Sequence, residues 1–174
     1  MKKILSSLLS TIILLSVLQG TIHAQDIIAG ISNAEFTGMT DEARNGDRLK
    51  SAEINTNAIK NFEKSFKQAK NVNWYKVKDG FMVYFYQNET KEICGYDLKG
   101  RWQYTLVSYP EKKLPLPIWH RVKTVYYEYA ITWVNQIQIQ NKIIYVVHLE
   151  NENTYKNVRV TDEDMDIIEE VEKK

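Results

Sequence analysis

From Asn57 onward the apolar positions fall into two alternating rhythms. Ala58, Ile59, Phe62, Phe66 and Ala69 recur at steps of three and four, with lysines and a glutamate between them. That spacing puts them on one stripe and predicts an amphipathic helix capped by Thr56 or Asn57. Runs rich in β-branched and aromatic residues follow, each closed by turn residues. Val72–Val77 stops at Lys78-Asp79-Gly80, Phe81–Gln87 at Asn88-Glu89, Lys91–Asp97 at Lys99-Gly100, and Arg101–Tyr109 at Pro110. Short apolar runs separated by such turns predict an antiparallel meander.

The order then recurs. Residues 110–117 form a proline-bracketed linker, and Ile118, Val122, Tyr126 and Tyr129 make a second helical stripe with Pro117 in its first turn. Strand-like runs follow at Ile131–Gln140, Ile143–Glu150, Thr154–Val160 and Met165–Val171. A shift of 60 lays Ala58, Phe62, Phe66 and Ala69 on Ile118, Val122, Tyr126 and Tyr129, and a shift of 62 lays Phe81 and Phe85 on Ile143 and Val147. The expected fold class is α+β: a tandem repeat of helix plus four-stranded antiparallel meander, residues 57–109 and 118–174. A unit of about 55 residues buries only a marginal core. The two sheets are therefore expected to join edge to edge as one domain over 57–174, with both helices on one face and the other open.

The start of the chain reads differently. Lys2 and Lys3 precede an apolar run, Ile4–Leu18, and Thr21-Ile22-His23-Ala24 ends on a small residue. This is the pattern of a signal peptide (residues 1–24) cleaved near Ala24, which implies a periplasmic or secreted protein. No later segment is long and apolar enough to span a bilayer, so no membrane span is expected after cleavage. Residues 25–56 show no sustained period and read as a flexible leader.

Charge and chemistry narrow the function by exclusion. Without Lys2 and Lys3, 21 of the 23 basic residues face 22 acidic ones, which leaves no basic surface for nucleic acid. Lys60, Lys64, Lys67 and Lys70 fall on a solvated helix face. Cys94 is alone, so no internal disulfide forms, and it reads as a small buried residue. His120 and His148 have no ligand-spaced partners, no glycine-rich phosphate loop is present, and nothing calls for a metal or cofactor. A non-enzymatic protein is expected. A Cys94–His148 pair, both residues lying on strands, is the nearest approach to a catalytic arrangement.

The run from Ala58 through Phe66 to Ala69-Lys-Asn-Val-Asn-Trp74 resembles the opening of the PepSY-like, β-lactamase-inhibitor-like proteins. So do Tyr96-Asp-Leu-Lys-Gly-Arg-Trp102 and the Leu114-Pro-Leu-Pro117 junction. The resemblance spans about Asn57 to Val171 and weakens at Val160–Glu163, where the counterpart of the Tyr96–Gly100 turn has no glycine. It implies a helix-plus-four-strand repeat that binds through an open sheet face. Inhibition of any enzyme is not carried over.

Eleven tyrosines and four tryptophans are available for recognition. If Phe81, Val83 and Phe85 face the helices, then Met82, Tyr84 and Tyr86 face away, because side chains alternate along a strand. The corresponding set in the second half is Ile144, Val146 and His148. These six are the expected partner-binding residues, for a protein or peptide of the cell envelope. In the alternative reading they pack against the leader, the other repeat or a second copy, in a structural or regulatory protein acting by self-association. Trp74, Trp102, Trp119 and Trp133 are expected at the core or its edge.

Overall fold

The computed structural model describes residues 48–174. Helix α1 (Thr56–Ser65) precedes β1 (Lys70–Val77), β2 (Gly80–Gln87), β3 (Thr90–Asp97) and β4 (Trp102–Tyr109). Helix α2 (Leu116–Val125) precedes β5 (Ala130–Ile139), β6 (Lys142–Glu150), β7 (Thr154–Val160) and β8 (Met165–Glu172). The eight strands form one antiparallel sheet in chain order. Its two halves meet where β4 pairs with β5, from Tyr104 opposite Ile139 to Tyr109 opposite Val134. The β2–β3 turn works because Asn88 and Glu89 both take positive φ, 50° and 61°, as a tight hairpin turn requires.

Cross-strand register decides which face each residue joins. On one face α1 buries Ala58 and Phe62 against Phe81, Val83, Phe85, Cys94 and Tyr96. On the same face α2 buries Val122 against Val134, Val147, Leu149, Val158 and Val160. The two patches share a side because Phe85 pairs with Glu92, Glu92 with Val107, and Tyr109, two residues on, with Val134. The intervening residues Met82, Ile93, Leu106, Ile137, Ile144 and Val146 form a third buried cluster on the opposite face.

Several boundaries differ from expectation. The signal peptide and most of the leader lie outside the described residues, but residues 48–56 belong to the fold. Leu49 N–H donates to Trp74 O at 2.9 Å, Arg48 bridges to Tyr75, and Ile54 is buried in the α1 core. The helix cap is Asn55, whose Oδ1 accepts from Asn57 N–H at 2.9 Å, not Thr56 or Asn57. Helix α2 likewise starts inside the expected linker, at Leu116.

Both helices also stop before their apolar stripes do. Phe66 and Tyr126 leave helical geometry at φ −122°, ψ 62° and φ −112°, ψ 48°. Their rings still face the core: Phe66 lies 5.3 Å from Phe62 and 4.7 Å from Phe85. A turn that folds back over the same core preserves the apolar spacing after the helix has ended.

Candidate binding face

All six residues expected to bind a partner lie on the face turned away from the helices. Their exposure is another matter. Met82, Ile144, Val146 and His148 are buried, Tyr84 is half-buried, and of the six only Tyr86, at 38%, is exposed. The row of outward apolar groups is thus corrected to a closed cluster. Ile93, Leu106 and Ile137 pack with Met82, Ile144 and Val146, and Tyr75, Tyr84 and Tyr104 lie around them. Alternation in β3, β4 and β5 carries a signal for these added members, but only cross-strand register aligns them.

At one end of this face, Tyr84 and Tyr86 stand edge to face, with ring centroids 5.7 Å apart and hydroxyls 3.3 Å apart. Lys91, the cross-strand partner of Tyr86, places its ammonium 4.8 Å from the Tyr84 ring centroid. This corner offers aromatic area, phenolic hydroxyls and one cation.

At the other end, a hydrogen-bonded chain crosses five strands. Ser108 Oγ donates to Asn135 Oδ1 (2.7 Å), Asn135 Nδ2 faces His148 Nε2 (3.0 Å), and His148 Nδ1 faces Asn157 Oδ1 (2.5 Å). Asn157 Nδ2 then donates to Glu169 Oε2 (2.5 Å). The arrangement suits a neutral imidazole protonated on Nδ1, with every donor pointing toward the Glu169 carboxylate. Burial pushes the His148 pKa below its usual value, against the opposing pull of Asn157 and Glu169. Beside the chain an open pocket of about 370 Å³ is lined in part by Thr132, His148, Tyr155, Asn157 and Glu169. Sequence reasoning picked out His148 and missed its partners, because each comes from a different strand.

Trp133 also belongs to this face rather than to the core. The β5–β6 register shifts between Ile131 and Trp133, so Trp133 pairs with His148 and is 39% exposed. A bulge adds one residue and turns the next side chain over.

Cys94 and His148 do not meet. Cys94 pairs with Val83 and Thr105 on the helix face, whereas His148 lies on the other. Its thiol lies 3.2 Å from Thr105 Oγ1, and burial pushes its pKa up to about 12, away from the thiolate form. Among the described residues no group of three or more His, Cys, Asp or Glu side chains could hold a metal ion.

The Tyr96–Trp102 motif is a structural dock. Asp97 Oδ1 accepts from the N–H groups of Lys99 (2.9 Å) and Arg101 (2.8 Å), and Gly100 sits at φ +77°. A Cβ on Gly100 would stand 2.6 Å from Ala58 N, so glycine lets the turn touch the start of α1. Asn55 completes the contact by donating to Leu98 O at 3.0 Å. In the second half, where no glycine is present, Arg121 reaches from α2 and donates to Thr161 O (2.6 Å) and Glu163 O (3.3 Å).

An eight-stranded antiparallel sheet with two helices is a β-lactamase-inhibitor-protein-like α+β fold. Solved structures share it. A BLIP-like protein from Bacteroides fragilis superposes with a TM-score of 0.57 at 12% identity, over 68% of this chain and 86% of that one. A DUF2874 family protein from Bacteroides ovatus gives 0.57 at 15% identity, over 68% and 87%. A protein from Bacteroides eggerthii, provisionally assigned to the periplasm, gives 0.56 at 10%, over 68% and 88%. At these identities the likeness is one of fold. No family model matches the sequence, and no curated protein does. No helix among the described residues is long and apolar enough to cross a membrane.

Proposed function

We propose that this chain is an exported, non-enzymatic binding module of PepSY-like type, which recognises a protein or peptide of the cell envelope through the sheet face opposite the helices. The observation that carries the reading is the make-up of that face. An apolar cluster is flanked at one end by Tyr84, Tyr86 and Lys91 and at the other by Trp133 and the Ser108–Glu169 chain. Aromatic residues beside an apolar centre supply large contact area with polar tips, the composition of recognition surfaces. Export rests on the pattern of residues 1–24 and is in keeping with the periplasmic assignment of a protein of like fold.

The reading includes a tandem repeat. The short 3₁₀ turns at Ser51–Glu53 and Glu111–Lys113, the helices from Thr56 and Leu116, and the strands from Lys70 and Ala130 all begin 60 residues apart. The offset supports duplication of one helix-plus-strands unit.

The test is capture from envelope extract by the protein spanning Gln25–Lys174, beside a Tyr84→Ala/Tyr86→Ala variant verified as folded. A protein retained by the wild type and lost by the variant is the expected result. Equal capture by both would remove the tyrosine corner from the reading. It would favour the structural reading, in which the protein acts by self-association.

A further inference from the structure

A second surface lies at the sheet's edge. We propose that the outer edge of β8 takes up an extended, basic peptide segment as a ninth strand.

The two edges of the sheet are treated differently. At β1 the chain covers the middle of its own edge: Arg48 bridges to Tyr75, and Leu49 N–H donates to Trp74 O at 2.9 Å. β8 ends the strand order, and no strand of the described residues pairs with its outer side. Six of its eight residues are exposed. Among them Ile167, Ile168 and Val171 are 43%, 41% and 49% accessible. An exposed edge of β-branched residues presents a row of backbone donors and acceptors together with apolar area, which is what β-augmentation uses.

Charge selects the occupant. Residues 162–172 contain seven acidic side chains and no basic one. Two are answered inward by β7, where Lys156 lies 2.5 Å from Glu170 and Arg159 2.9 Å from Asp166. The balance remains negative. A second copy offering its own β8 would set these carboxylates against one another, and a second copy's β1 is already engaged at its middle, Trp74 and Tyr75, by residues 48–49. An incoming basic strand meets neither obstacle.

The register states the expected pattern. Asn157 pairs with Glu169 but Val158 with Ile167, so Ile168 is an extra residue that interrupts the ladder. Regular pairing is then available along 169–172. Glu170 pairs with Lys156 and lies on the helix side, whereas Glu169, bonded to Asn157, lies on the other. Glu172 follows Glu170 by two residues, so an added strand with alternate basic residues would bring them beside Glu170 and Glu172.

The probe is a blocked hexapeptide of alternating lysine and valine, titrated into the isotopically labelled mature protein. The control is the same peptide with glutamate for lysine. Expected are amide shifts and slowed exchange centred on 169–172, at least tenfold weaker binding of the acidic peptide, and weaker binding at high salt. An Ile167→Lys/Val171→Lys variant, both changes at exposed positions, should keep the native amide spectrum and bind the basic peptide at least tenfold more weakly. Equal binding of both peptides, no binding at millimolar peptide, or shifts centred on Tyr84 and Ile144 would each overturn the proposal. Loss of capture by the Tyr84→Ala/Tyr86→Ala variant would leave it untouched, because that corner and β8 lie at opposite ends of the sheet.

Discussion

The ring of Tyr104 lies across Gly95, its cross-strand partner, in the space a side chain there would occupy. A Cβ built on Gly95 would stand 2.2 Å from the Tyr104 ring. The pair closes the central cluster on the face without helices, and burial pushes the Tyr104 hydroxyl up to about 12. Gly95→Ala should therefore destabilise the protein by about 1–3 kcal/mol through forced displacement of the ring. In urea unfolding the Gly95→Ala/Tyr104→Ala double variant should lose less than the sum of the single changes, since removing the ring removes the clash.

Asn55 serves two partners at once, Asn57 N–H and Leu98 O. Asn55→Ala should cost about 1–2 kcal/mol in urea unfolding. Asn55→Asp should cost less, because a carboxylate still caps the helix and loses only the donor to Leu98.

Glu92 is buried on the helix face, and burial pushes its carboxyl from 4.5 up to about 7. A raised carboxylate favours folding while protonated, and its contribution is lost as pH rises from 4.5 through about 7. Glu92→Gln should accordingly gain about 1–2 kcal/mol over the wild type at pH 8 and little at pH 4, read from urea midpoints.

His148 has the opposite sign. Its folded pKa lies below 6.5, so it favours folding while neutral, and that contribution is lost as pH falls below 6.5. His148→Gln should flatten this acid-side fall while leaving the Glu92 slope in place. An unchanged fall between pH 6.5 and 5 would show that the imidazole titrates freely in the folded protein.

The Cys94 thiol should be slow toward aromatic disulfide reagents at pH 8 in the folded protein and react fully once the chain is unfolded. Rapid stoichiometric labelling of the native protein would contradict its burial.

Periodicity located nearly everything local. The expected strand Thr154–Val160 coincides with β7, the other seven strand boundaries differ by two residues or fewer, and Pro117 falls in the first turn of α2. These features depend on side-chain spacing and turn residues, which the chain carries by itself. Helix ends were less legible: Phe66 and Tyr126 keep the helical stripe through a turn that is not helical.

The sequence by itself determined the α+β class, the order of elements and the face to which Met82, Tyr84, Tyr86, Ile144, Val146 and His148 belong. All of these follow from alternation within one strand or spacing within one helix. The tertiary structure decided which of those residues are buried, that Cys94 and His148 lie apart, and that Trp133 turns out of the core. It also assembled Ser108, Asn135, His148, Asn157 and Glu169 into one hydrogen-bonded line. Each of these depends on register between strands, which a single bulged residue reverses, so no pattern within one strand can contain it.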